Sequence, residues 1–256
     1  MRNHSCGVAS GHSNRLESAS AGMIDSSGMD KGKVQEALTT LYLRLNGYFT
    51  TGLIVHSAAA HGNNTEIDVL AVRLPKHEQQ EREVGLSGEL DCSAELLDIV
   101  IGEVKSFGQK LQFNEGVRSI ESVTKILSWV GAFERGEIPD LAEKLRKLLE
   151  PKPIANSTAL VVLGPRNTRI RALLFSPERN GHRGNQPWFL AGPPILEYLW
   201  LCLNPGGPRS ECATKYDFGL WGSDLEPLVR HIKASPLPPT FKVFYEGLER
   251  TNGTAR

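Results

Sequence analysis

From position 31 onward the chain alternates between stretches of helical and of strand period. Val34, Leu38, Leu41, Tyr42 and Leu45 recur at three- and four-residue spacing, and Asn46-Gly47 supplies a stop signal, so a first helix is predicted from Lys31. The β-branched run LIVHS at 53–57, the polar turn His61-Gly62-Asn63-Asn64 and TEIDVLAVR at 65–73 read as two strands joined by a turn. DIVIGEVK at 98–105 restores strand character after a polar stretch. Val117, Ile120, Thr124, Leu127 and Val130 then mark one helical stripe, and Leu141, Leu145, Leu148 and Leu149 a second that stops before Pro151. TALVVL at 158–163 and RIRALLF at 169–175 read as strands separated by Gly164-Pro165-Arg166-Asn167. PPILEYLWLCL at 193–203 reads as a buried helix with proline in its first turn. Ser223-Asp224-Leu225-Glu226 has the form of a capping box opening a helix to about Lys233, which Pro236-Leu237-Pro238-Pro239 ends.

The order is helix, three strands, one or two helices, two strands and C-terminal helices, a mixed α/β pattern without internal repeats. Residues 1–28, rich in Ser, Gly and Asn, are expected to be a disordered leader, with Met29 as an alternative start. The expected core spans 29–180, with an acidic loop inserted at 75–97, and a helical extension packed on it spans 181–256.

With 256 residues, 40% hydrophobic, the chain is long enough for one well-buried core, and it holds no apolar run long enough to cross a membrane as a helix. Residues 1–22 lack the apolar segment of a secretory signal, which places the protein in the cytoplasm as an expectation. Cys6, Cys92, Cys202 and Cys212 form no CxxC pair, so neither a zinc ribbon nor a disulfide framework is supported. The 29 basic and 29 acidic residues cancel, yet residues 1–100 carry 8 basic against 13 acidic and residues 151–256 carry 13 against 8. Residues 152–183, with six basic residues against the single acid Glu178, suggest a local phosphate-facing surface, with solvated loops as a near-equal alternative, and Arg169 and Arg171, alternating along one strand, are the candidate nucleic-acid contacts, with an exposed sheet edge as the equal alternative.

The chemically informative positions are carboxylates inside apolar strands: Asp68 in TEIDVLAVR and Glu103 in DIVIGEVK, with Lys105 two residues on. An unpaired charge in such a strand costs several kcal/mol, so partners are implied. Pairing the two strands antiparallel around the insertion, with Arg73 opposite Asp98, sets Asp68 opposite Glu103. Strand alternation gives Glu103 and Lys105 one face, and gives Asp68 the face of Leu70 and Val72. Two neighbouring carboxylates repel unless one is protonated or a divalent cation lies between them, and an oxygen-only donor set favours Mg²⁺, Mn²⁺ or Ca²⁺ over zinc. A lysine beside such an ion orients a water or meets charge developing on a phosphate.

These positions resemble the PD-(D/E)xK nuclease superfamily, whose fold is restriction-endonuclease-like, and within it the archaeal Holliday-junction resolvase and Mrr-type branch. The likeness covers about residues 31–175. It implies a metal-dependent endonuclease, acting on DNA more than RNA. Asp68 and Glu103 would hold Mg²⁺, the Val104 carbonyl would add a ligand and Lys105 would position the attacking water. Ile67 stands in the place of the name-giving proline. The helix-borne acid would be Glu36, which at about 100° per residue falls on the far side from the Val34/Leu38/Leu41/Leu45 stripe. Gln109 or Gln112 would be the helix glutamine of related families. The resemblance also allows a homodimer. The alternative is a nuclease-like domain without turnover that binds nucleic acid or protein.

Glu-x-Lys alone carries little information, since Glu150-Pro151-Lys152 repeats it outside any strand. His56-Ser57 lacks the GxSxG elbow of a serine hydrolase, and no glycine-rich phosphate loop is present. Trp188, Trp200 and Trp221 are read as core rather than base-stacking residues.

Overall fold

The computed structural model describes residues 30–56, 65–79, 82–151, 161–180, 188–206 and 222–254. The leader, the turn at 61–64, Ser57, Cys6, Cys212 and Trp221 lie outside the described residues. Among the described residues a six-stranded sheet and six helices make a mixed α/β fold, and no helix is long and apolar enough to cross a membrane.

Helix α1 (Lys31–Leu45) starts where the Asp30 carboxylate accepts from the Gly32 N–H at 2.8 Å, and ends at Asn46 before Gly47, whose φ of +83° a side-chain-bearing residue rarely adopts. Strands β1 (Phe49–Val55), β2 (Thr65–Arg73) and β3 (Leu97–Val104) run antiparallel to one another in that order. The β2–β3 register pairs Arg73 with Asp98, as expected, and runs to Val69 opposite Gly102. Helices α2 (Ile120–Val130) and α3 (Ile138–Leu149) then carry the chain to β4 (Val161–Gly164) and β5 (Thr168–Ser176). Strand β5 lies parallel to β3 along its whole length, a crossover that needs intervening helices, and on its other side pairs with β4 and β6 (Phe189–Ala191).

The sheet is covered on both faces. Val123, Ile126, Leu127, Leu141 and Leu145 of α2 and α3 pack with Leu70, Ile99, Ile101 and Ile170. On the other face Val34, Leu38 and Tyr42 of α1 join Val69, Ala71, Val100 and Phe175, together with α4 (Gly192–Leu203), α5 (Glu226–Ala234) and α6 (Phe241–Thr254) through Leu199, Leu228 and Phe244. The C-terminal helices thus share a core with α1. Trp188 is buried and the Trp200 indole donates to the Ser235 carbonyl at 2.8 Å, so both serve as core residues.

One expectation needs correction, and two features lay beyond the sequence pattern. The Ser223-Asp224-Leu225-Glu226 segment forms a 3₁₀ turn over Ser223–Leu225 without a side-chain cap, and α5 begins only at Glu226, where Pro227 suits the first turn. Within the inserted 75–97 segment Leu90 is fully buried, the Ser87 N–H donates to Asn46 Oδ1 at 2.8 Å, and Ser87 Oγ lies 2.7 Å from the Tyr42 hydroxyl, so these described residues are tied to α1 and the core. Strand β6 went unrecognised because three residues carry too little period to read.

Candidate metal and nucleic-acid site

The candidate site sits where the β2–β3 ladder stops. Between Thr51/Leu70 and Leu53/Ile67 the β1–β2 register shifts, so β2 carries one extra residue opposite Gly52. Ile67 and Leu70, three positions apart, consequently serve the same core, and strict alternation fails at that point. Asp68, at the bulge, reaches across with its side chain: Oδ2 accepts from the Val104 N–H at 2.7 Å. A carboxylate thus takes the position that a backbone carbonyl would hold in a regular ladder, which brings Asp68 beside Glu103 by a different route from the face-to-face pair expected.

Glu103 is nearly fully buried on the face of Ile101 and has both oxygens engaged. Oε1 accepts from Lys105 Nζ at 2.5 Å and Oε2 from the Asn114 N–H at 2.8 Å. Lys105 Nζ donates also to Asn114 Oδ1 at 2.9 Å, and the Lys105 backbone is tied to β5 through Phe175 O at 2.8 Å. Burial raises the Glu103 carboxyl above its usual range. The Lys105 ammonium and the Asn114 N–H oppose that rise, and the Asp68 charge adds to it. Asp68 is likewise raised chiefly by burial, against the Val104 N–H and Lys105. The two carboxyls and the ammonium therefore act on one another as one cluster.

Glu36 is exposed as a residue, but partial desolvation of its carboxyl, followed by the charges of Asp68 and Glu66, raises its pKa. Helical phase set it away from the α1 core stripe, and that remains so. Its carboxyl nevertheless feels Asp68, because the bulged end of β2 lies within electrostatic reach of the first turns of α1. The neighbouring Gln35, fully buried, donates to Ser106 Oγ at 2.9 Å and accepts from the Glu178 N–H at 3.2 Å, fastening α1 to the segment after Lys105. Gln109 caps that turn by accepting from the Ser106 N–H at 2.8 Å, and the Gln112 backbone N–H donates to the Lys110 carbonyl. Neither glutamine side chain bonds to Asp68, Glu103 or Lys105.

Arg169 and Arg171 are not phosphate contacts. They are 7% and 6% exposed on an interior strand, and both bind Asp98, which has no exposed surface. Arg169 Nη2 and Arg171 Nη2 lie 2.7 Å and 2.5 Å from Asp98 Oδ2, and the Tyr48 hydroxyl donates to the same oxygen at 2.6 Å. Arg171 Nη1 reaches the Leu90 carbonyl at 2.5 Å, and Arg169 Nη2 the Asp91 carbonyl at 2.8 Å. A buried guanidinium is tolerated because each donor finds an acceptor in fixed geometry. Sequence reasoning passed over Asp98, Tyr48 and Asn114. The signal for the first was present, since an acid opening DIVIGEV and two arginines in RIRALLF match once the strands are taken as parallel neighbours.

The side-chain groups of the cluster that could meet a cation offer only oxygens: Asp68, whose Oδ1 makes no hydrogen bond among the described residues, and Glu103, whose two oxygens already accept from Lys105 and Asn114. Carboxyls raised by burial and mutual charge fit a hard dication, which stabilises their ionised forms. Among the described residues no three His, Cys, Asp or Glu groups gather closely enough to hold a metal, so the protein would supply few ligands and water the rest. No protein-family model matches the chain, and neither a curated protein nor a solved structure was found to match it.

Proposed function

We propose that this protein is a metal-dependent phosphodiesterase of the PD-(D/E)xK kind, with a restriction-endonuclease-like core, cutting DNA in preference to RNA. The observation that carries the reading is the cluster itself: two carboxyls raised by burial, one bonded to the lysine two residues beyond it, at the end of the central antiparallel pair. The order helix, three antiparallel strands, helices and a parallel return strand supports it.

Asp68 and Glu103 would hold Mg²⁺ or Mn²⁺ with the Val104 carbonyl, and when bound the ion supplies charge neutralisation at the phosphate. Lys105 orients the attacking water and meets negative charge on the phosphate oxygens, a role that suits an ammonium with three donors. Asp68 keeps its place through the Val104 N–H, which holds one oxygen and leaves the other for the ion. Glu36 adds negative potential on the α1 side of Asp68.

A second reading, a nuclease-like domain that binds nucleic acid or protein without turnover, is favoured by the closed Glu103–Lys105–Asn114 network and by the lack of a third gathered acid among the described residues. Supercoiled plasmid and a labelled RNA, incubated with and without Mg²⁺, separate the two. Cleavage that requires Mg²⁺ and disappears in both Lys105→Ala and Asp68→Asn supports the enzyme. Binding that persists in both variants, with no cleavage by the wild type, supports the module.

A further inference from the structure

Lys105 shares its ammonium between two acceptors, and only one of them is a proposed ligand of the cation. Glu103 Oε1 lies 2.5 Å from Nζ and Asn114 Oδ1 lies 2.9 Å from it. The side chains of Glu103 and Lys105 are 2% and 8% exposed, whereas Asn114 is an exposed residue. Asn114 also donates its backbone N–H to the other oxygen of Glu103, so one residue touches both members of the pair. Its orientation is chemically determined, because an ammonium has no acceptor and only the amide oxygen can face it.

Asn114 is held there by the fold as well as by its own hydrogen bonds. Phe113 and Val117, on either side, are buried in the core beneath α2 and α3. Gly116 passes so close to β2 that a Cβ there would lie 1.9 Å from Thr65 Oγ1. The loop between β3 and α2 is therefore clamped on both sides of Asn114, and no local rearrangement is needed to bring the amide to the lysine.

Resting on the phosphodiesterase reading, we infer that Asn114 is a positioning residue that keeps the Lys105 ammonium in place when Glu103 turns to a dication. A cation on Glu103 repels the ammonium that shares the carboxylate and weakens the 2.5 Å contact. The Asn114 carbonyl, neutral and fixed, is unaffected by that competition and becomes the principal anchor. Two acceptors occupy two of the three ammonium donors, which leaves one for a water or a phosphate oxygen. Replacing the amide oxygen leaves the backbone N–H to Glu103 intact, so substitution separates the lysine anchor from the carboxylate anchor.

The experiment compares wild type, Asn114→Leu and Asn114→Asp in the full chain. Plasmid cleavage gives kcat and KM, Mn²⁺ titration gives metal affinity, and the ¹⁵N signal of the Lys105 ammonium, assigned with Lys105→Arg, is followed with Mg²⁺ present. The Leu variant is expected to lose about 100-fold in kcat, with KM and Mn²⁺ affinity within about twofold of wild type, and the Asp variant, which restores an acceptor, to recover most of the rate. The ammonium signal is expected to persist in wild type and the Asp variant and to exchange away in the Leu variant. Wild-type kcat in the Leu variant overturns the inference, as does a parallel loss of Mn²⁺ affinity, which would mark a structural role. If wild type binds Mn²⁺ but does not cut, the functional reading fails by itself, and the ammonium signal alone decides the role of Asn114.

Discussion

Removing the charge of Asp98 while keeping its shape, as Asp98→Asn, tests whether Arg169 and Arg171 belong to the interior. Asp98 is fully buried, each arginine is more than nine-tenths buried, and each Asp98 oxygen receives both guanidiniums, with the Tyr48 hydroxyl donating to Oδ2 as well. Deleting the anion leaves two buried cations facing an amide whose NH2, in either orientation, takes the place of an oxygen that accepted from both of them. Breaking a buried pair in this way costs about 3–5 kcal/mol, because the surviving charge remains desolvated and unpaired. For a chain of this size that corresponds to a fall in Tm of roughly 6–20 °C, and to a matching drop in urea midpoint at unchanged m value. Were the arginines instead surface residues awaiting phosphate, the same change would cost within about 0.5 kcal/mol. A second arm measures the salt dependence of DNA binding in Arg169→Gln: a phosphate contact would lower the slope by about one, whereas an interior arginine leaves it unchanged in the folded fraction. A stability loss under 1 kcal/mol for Asp98→Asn, or a reduced salt slope for Arg169→Gln at unchanged stability, refutes the buried-cluster assignment.

Three further outcomes follow from the geometry. The Glu103 carboxyl is raised from its ordinary 4.5 chiefly by burial, so the folded state binds its proton more tightly than the unfolded chain does. The stability this contributes is full below about pH 4.5 and is lost as pH rises through the elevated value, so the difference between wild type and Glu103→Gln in denaturant titrations should fall over that window; a difference that grows with pH contradicts it. Gly102→Ala places a Cβ 2.5 Å from Val69 Cγ1 and 2.9 Å from Phe175 Cε2, and is expected to cost about 1–3 kcal/mol in a urea titration; a neutral result shows that β3 has slack beside Glu103. Asn46→Ala removes the amide that caps α1 through the Tyr42 carbonyl and receives the Ser87 N–H, both at 2.8 Å. It should cost about 1–3 kcal/mol and speed amide exchange at residues 87–90; unchanged exchange there would show that the acidic segment holds itself.

What the sequence by itself determined was local and periodic. Helix α1, strand β2 over residues 65–73, helices α2 to α4 and the antiparallel register of Arg73 with Asp98 all follow from spacing, stop signals and the need to bury apolar faces. Asp68, Glu103 and Lys105 stood out because charge inside apolar strands demands a partner. Tertiary structure decided which partner each charge took, since that depends on contacts between distant segments that no spacing encodes. The bulge opposite Gly52 delivers Asp68 to Val104, and the parallel return of β5 brings two arginines onto Asp98, turning apparent phosphate contacts into interior ones. Asn114 became visible only when a loop with no period of its own was clamped between Phe113 and Val117 over the Glu103–Lys105 pair.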